Sequence, residues 1–146
     1  MAAISCFRDL EVYKLARIQA KKIFETTKLF PPEEKYSLSN QIRRSSRAVN
    51  AMIAEAWARR KYVAAFVNKI DEAMGEANET QAWLDHALDC TYINSDEHKE
   101  LDHEWQHIGG MLHRMIDRAD DFCKHAPGTD YRSVVREEHG IPFTDH

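Results

Sequence analysis

The chain is poor in residues that interrupt helices. Its 146 residues include only five glycines and four prolines, so few positions break a run of i→i−4 hydrogen bonds. There are three cysteines, Cys6, Cys90 and Cys123. Their odd number and lack of metal-ligand spacing argue against a disulfide framework or a thiolate zinc site and for reduced thiols. No apolar run approaches the roughly 18 residues that a membrane span needs. The opening Met-Ala-Ala-Ile-Ser-Cys has no charged stretch followed by an apolar one, so no signal peptide is expected. These absences together predict a cytoplasmic protein with no membrane partner. Gly75, Gly109 and Gly110 form no phosphate cradle, and neither a nucleophilic triad nor a dinucleotide fingerprint is found.

What is present is helical patterning. Apolar residues make up 43% of the chain, enough for the core of one domain. Tyr13, Ala16, Ala20, Ile23, Thr27 and Phe30 alternate by three and four, with Phe24 widening the stripe, and predict a helix from about Phe7 to Leu29. Pro31-Pro32 stops it, and the second proline suits the first position of a new helix to about Ala58. That second helix carries Leu38, Ile42, Ser45, Val49, Met52 and Ala56 on one side, and Arg44, Arg47, Ala51, Ala54 and Ala58 on the other. Phe66, Ile70, Ala73, Ala77, Thr80, Leu84 and Ala87 predict a third helix, from about Tyr62 to Asp89. Asn94 and Glu97 have the spacing of a capping box. They open a fourth helix, to about Lys124, whose stripe is Leu101, Trp105, Ile108, Leu112, Met115, Ala119 and Phe122. Four helices of similar length with short connections predict an all-α, up-down-up-down antiparallel four-helix bundle over residues 1–125. A short irregular tail, 126–146, follows; it keeps Tyr131, Val134, Val135, Ile141 and Phe143.

Charge is segregated. Residues 1–61 hold 13 Lys/Arg against 6 Asp/Glu, whereas residues 62–146 hold 7 against 18. A chain built this way can attract copies of itself; it can equally fold as two solvated helix pairs of opposite sign. The alanine face of the second helix, Ala51, Ala54 and Ala58, admits close approach of another backbone, although alanine is also simply a good helix former.

Residues 103–113, His-Glu-Trp-Gln-His-Ile-Gly-Gly-Met-Leu-His, match the H-E-x-x-H-x-x-G-x-x-H zinc signature of metzincin proteases. In that chemistry two histidines one turn apart bind zinc, the glutamate activates water, and the glycine lets the chain turn so that a third histidine completes the site. The apolar stripe runs through Gly109-Gly110 in phase, however. On a continuous helix His103 and His113 stand about 15 Å apart along the axis, too far to share an ion. No metal is therefore assigned; His103 and His107 are where an adventitious one would bind. The Glu-x-x-His pairs Glu100/His103 and Glu104/His107 both fall on one outward face, which does not suit a di-iron carboxylate bundle.

Arg43, Arg44 and Arg47 cluster on the second helix, and Arg59, Arg60 and Lys61 lie at the next turn beside Tyr62. Such groups can contact phosphates, and the tyrosine can stack on a base. Salt bridges to the acidic helices would use the same side chains.

Several blocks are similar to a known family. Phe7-Arg-Asp-Leu10-Glu-Val-Tyr13, Phe30-Pro31, Glu34-x-Tyr36-x-Leu38-x-x-Gln41-Ile42-Arg43-Arg44 and Ile53-Ala54-Glu55 resemble the four helix bundle proteins, also called ribosomal RNA intervening-sequence proteins. Ala73-x-Gly75-x-Ala77-x-Glu79 and Ile108-Gly109-x-Met111-Leu112 fit the same pattern, so the resemblance spans about residues 7–124. It implies four antiparallel helices and a homopentameric ring. A related group, the accessory proteins of diversity-generating retroelements, binds a reverse transcriptase and its RNA through a basic surface. Met52, Ala56 and Glu76 depart from the family's usual Asn, Gly and Ser.

The resulting expectation is a non-enzymatic, cofactor-free, self-assembling scaffold or adaptor, a homopentamer serving a protein or RNA partner. RNA binding through Arg43, Arg44, Arg47, Arg59, Arg60 and Lys61 is the alternative. A zinc-dependent hydrolase at the histidine motif is the third reading.

Overall fold

A computed structural model describes residues 4–124, and the tail expectation lies outside them. The described residues are helical and include no strand. Four long helices, α1 (Glu11–Thr27), α2 (Leu38–Ala58), α3 (Val63–Asp89) and α4 (Ser95–Asp117), are followed by a short α5 (Ala119–Cys123). Each long helix packs against the next in the chain, and α1 closes the bundle against α4. The expected stripes form the core: Ile23, Ile42, Val49, Phe66, Ile70, Leu84, Trp105, Ile108 and Leu112 are fully buried. Burial of this apolar surface, at about 25 cal/mol per Å², is the main force holding the four rods together.

Three helix ends differ from the sequence reading, each for a local reason. The first helix does not start at Phe7. Residues Phe7–Asp9 form a 3-10 turn, and extended backbone at Leu10 tucks its side chain into the core before α1 begins. Phe7 then packs edge-on against Tyr13, with ring centroids 5.0 Å apart. The second helix does not start at Pro32 either. Pro32–Glu34 is a 3-10 turn, and the chain breaks at Ser37 before α2. Here Glu34 accepts the Leu38 amide at 3.2 Å and so satisfies an orphan donor of α2 from outside the helix. Finally, the last helix is not one rod to Lys124. It breaks at Arg118, and α5 turns onto α3, where Phe122 stacks on Phe66 at 5.8 Å. The break falls well beyond Gly109-Gly110, which lie inside α4.

The capping box is present as expected. Asn94 Oδ1 accepts the Glu97 amide at 2.8 Å, and Glu97 Oε1 accepts the Asn94 amide at 2.9 Å. The α3–α4 turn is closed by backbone hydrogen bonds. Tyr92 N–H bonds Ala87 O and Thr91 N–H bonds Leu88 O, both at 2.9 Å, which is the Schellman pattern. Thr91 occupies the left-handed position of that motif, with φ 60°.

Candidate functional site

The histidine motif is dispersed along α4. His103, His107 and His113 are exposed on an uninterrupted helix, while Trp105 and Ile108 between them face the core. His113 lies 3.6 Å from Asp117 rather than near the other two. The geometry needed for a three-histidine zinc centre is therefore absent here.

The basic residues divide into separate groups. On the α1–α2 face, Phe24 is covered by cations: the Arg43 and Arg47 guanidinium carbons lie 4.7 and 5.4 Å from its ring centroid, and Lys28 Nζ lies at 4.7 Å. Arg43 is fixed by donating from Nε to Thr27 Oγ1 at 2.7 Å. Beside this stack runs a cleft of about 310 Å³ lined by Tyr13, Arg17, Lys21, Phe24, Arg47 and Asn50. Asn50, also in its lining, donates from Nδ2 to Tyr13 O at 3.1 Å and so ties α2 to α1. Cations above an aromatic ring gain from its quadrupole, and the arrangement presents positive charge around a flat apolar surface.

Arg44 belongs to a different group. It turns to α3 and pairs with Glu76 at 3.2 Å and with Glu79, which also accepts the Trp83 indole N–H at 3.1 Å. Its hydrogen bonds to Glu76 and then to Glu79 push its pKa upward. Glu76 thus supplies a partner on α3 for the α2 guanidinium. Arg59, Arg60 and Lys61 form a third group, about 18 Å along the α2 axis from Arg47. Within it, Arg60 stacks on Trp57 at 3.5 Å and donates to Trp57 O at 2.8 Å, and burial lowers its pKa. Lys61 lies 5.3 Å from the Tyr62 ring centroid. The six basic residues singled out in the sequence do not form one surface. Arg43 and Arg47 instead join Arg17 and Lys21, which sequence reasoning left out. Their signal was present: positions 17, 21 and 24 follow helical spacing beside the core stripe of α1.

Of the alanine face, Ala51 and Ala58 are exposed and Ala54 is half-buried. Charge is segregated by helix. α1 and α2 carry seven Lys/Arg and three Asp/Glu, and α3 and α4 carry three and twelve. No helix among the described residues is long and apolar enough to cross a membrane.

Comparison with known proteins fits this architecture. A crystal structure of a protein with unknown function from the S23 ribosomal protein family of Bacteroides thetaiotaomicron VPI-5482 is 28% identical, with a TM-score of 0.66. The match covers 73% of this chain and 95% of that one. No curated protein matches the chain. Neither that structure nor the family match indicates an enzyme. Residues 8–114 match the family described as 23S rRNA-intervening sequence protein, and over that span the chain carries the bundle and the blocks expected of it; the chain belongs to this family.

Proposed function

We propose that this protein is a non-enzymatic cytoplasmic scaffold that assembles with copies of itself into a closed ring, a homopentamer, to hold a protein or RNA partner. The observation that carries the reading is the division of charge, basic on α1 and α2 and acidic on α3 and α4. Opposite patches on opposite sides of one subunit suit a head-to-tail contact, which closes when the rotation between neighbours divides a full turn. Ala51, Ala54 and Ala58 offer a path along α2 where a neighbour can come close. Sedimentation velocity at micromolar concentration and low salt tests this: a five-subunit species that weakens as salt rises is the expected result. A monomer under those conditions overturns the proposal.

A second reading rests on the cleft beside Phe24. Arg17, Lys21 and Arg47 around an aromatic ring suit a phosphate chain with a base stacked on the ring. This reading predicts salt-sensitive RNA retention that is lost in the double variant Arg43→Glu/Arg47→Glu. Absence of retention at low salt removes it. The two readings share the basic face, so RNA that dissociates the oligomer would show the face to be the nucleic-acid surface.

A further inference from the structure

We propose that Asp85, His98 and Asp102 form a binding site for a divalent metal of the zinc class, which ties α3 to α4. These are the described residues that bring three potential ligand atoms within 4.8 Å of one another. His98 and Asp102 are one helical turn apart on α4, and Asp85 faces them from α3, its Oδ1 2.8 Å from His98 Nε2. Bonds of about 2.0–2.2 Å to zinc place neighbouring ligand atoms about 3–3.5 Å apart, so small side-chain rotations complete the set. The metal takes the place of the proton between imidazole and carboxylate.

The surroundings suit a metal cation. The site lies on the acidic pair of helices, whose field attracts dications. One imidazole nitrogen and two carboxylates suit zinc, cobalt or nickel better than calcium or magnesium, which prefer oxygen alone. Asp102 has an outer partner of the kind that orients metal ligands: Gln81 Nε2 donates to its Oδ1 at 3.1 Å and to Gln106 Oε1 at 3.1 Å. The His98 backbone is anchored too, because its amide bonds Asn94 O at 3.0 Å, directly behind the capping box. Asp85 is exposed, so water can fill the remaining positions. The protein's histidine motif plays no part in this site.

Zinc titration of the full chain without a histidine tag tests the proposal, using a chromophoric chelator as competitor. One zinc per chain is expected, with affinity falling roughly tenfold or more in His98→Ala and in Asp102→Asn. The double variant His103→Ala/His107→Ala should bind as the parent does. Because the ligands come from two helices, zinc should raise the melting temperature of the parent and not that of Asp85→Asn. No uptake at millimolar zinc, or binding unchanged in His98→Ala, overturns the site; so does loss of binding confined to the His103/His107 variant. Should a variant misfold, histidine NMR signals of the parent decide the matter. Perturbation of His98 at the lowest zinc additions supports the site, and perturbation of His103 or His107 before His98 refutes it.

Discussion

Ser45 and Thr80 share a 2.8 Å hydrogen bond in the α2–α3 seam, where both side chains are fully buried. Two hydroxyl hydrogens serve the pair: one hydroxyl donates to the other, which donates within its own helix, and Thr80 to Glu76 O at 3.0 Å is the shorter of the two such bonds, Ser45 to Ile42 O being 3.4 Å. Small residues, Ala56, Ala73 and Ala77 among them, surround the seam's core positions and let the two backbones approach. A hydroxyl pair fits such a seam because each group satisfies the other without added volume.

Removing both members should therefore cost less than the sum of removing each alone. Ser45→Ala is expected to cost about 1 kcal/mol, and Thr80→Val a similar amount, since each leaves a buried hydroxyl without its cross-helix partner. The double variant should cost clearly less than the two single losses added together. Urea unfolding of the four proteins measures the coupling, and strict additivity would show that the bond contributes nothing.

A second polar pair joins distant parts of the chain at one end of the bundle. Tyr92 donates its hydroxyl to Glu34 at 2.8 Å while its ring packs on Phe30 at 5.2 Å. The Tyr92 hydroxyl first, and then the Leu38 amide, hold the Glu34 carboxyl below its ordinary value of 4.5. The carboxylate pushes Tyr92 from 10.0 up to about 12. A depressed acid contributes stability above the unfolded value, and that part is lost as pH falls through the folded one. A raised phenol contributes stability below pH 10, and that part is lost between pH 10 and about 12. Thermal melts should thus decline at both ends, and Tyr92→Phe should flatten both declines. Absorbance titration of the parent minus Tyr92→Phe should give a phenol centred near 12; a transition near 10 would break the link.

Neither polar pair was legible in the sequence, although the bundle was. Apolar spacing places residues on faces, and those faces proved to be core at Ile42, Phe66, Leu84 and Ile108. Helix ends follow other rules. The start of α2 depends on Glu34, whose position depends on Tyr92, 58 residues later, and no local pattern carries that. The capping box at Asn94 and Glu97 was readable because both partners lie within one turn. For the basic surface, the arginines were visible but their destinations were not. Arg44 and Arg47 sit three residues apart on one exposed face, yet one pairs with acids on α3 and the other caps Phe24 on α1. The zinc signature at residues 103–113 was legible too, and so was the reason to set it aside: the apolar stripe keeps its phase through Gly109-Gly110, which lie inside α4.

Thr91 offers a test of local strain. A β-branched residue with positive φ carries a cost of roughly 1–2 kcal/mol that glycine avoids. Thr91 holds the Schellman position with φ 60°, where glycine is the usual occupant. Thr91→Gly should stabilise the protein by about 1 kcal/mol once glycine's greater chain entropy is allowed for. Chemical denaturation gives the number, and a destabilised variant would mean that the turn prefers its threonine.

The glycine pair at 109 and 110 separates the continuous helix from the turn that a metzincin site would need. Both glycines lie inside α4. A Cβ added at Gly109 meets nothing within 4 Å, and one at Gly110 meets only Arg114 Nη1 at 3.8 Å. Alanine in a helix interior is better than glycine by about 0.5–1 kcal/mol, so Gly109→Ala and Gly110→Ala should each stabilise the isolated subunit by about that much. If the chain instead turned back at this point, alanine would be strained there, and both variants would lose stability together with any bound zinc. Assembly supplies an independent readout. Should a second subunit pack against this stretch, Gly109→Ala would raise the unfolding midpoint in dilute solution yet weaken the oligomer in sedimentation. A smooth helical surface open to solvent would leave the oligomer unchanged.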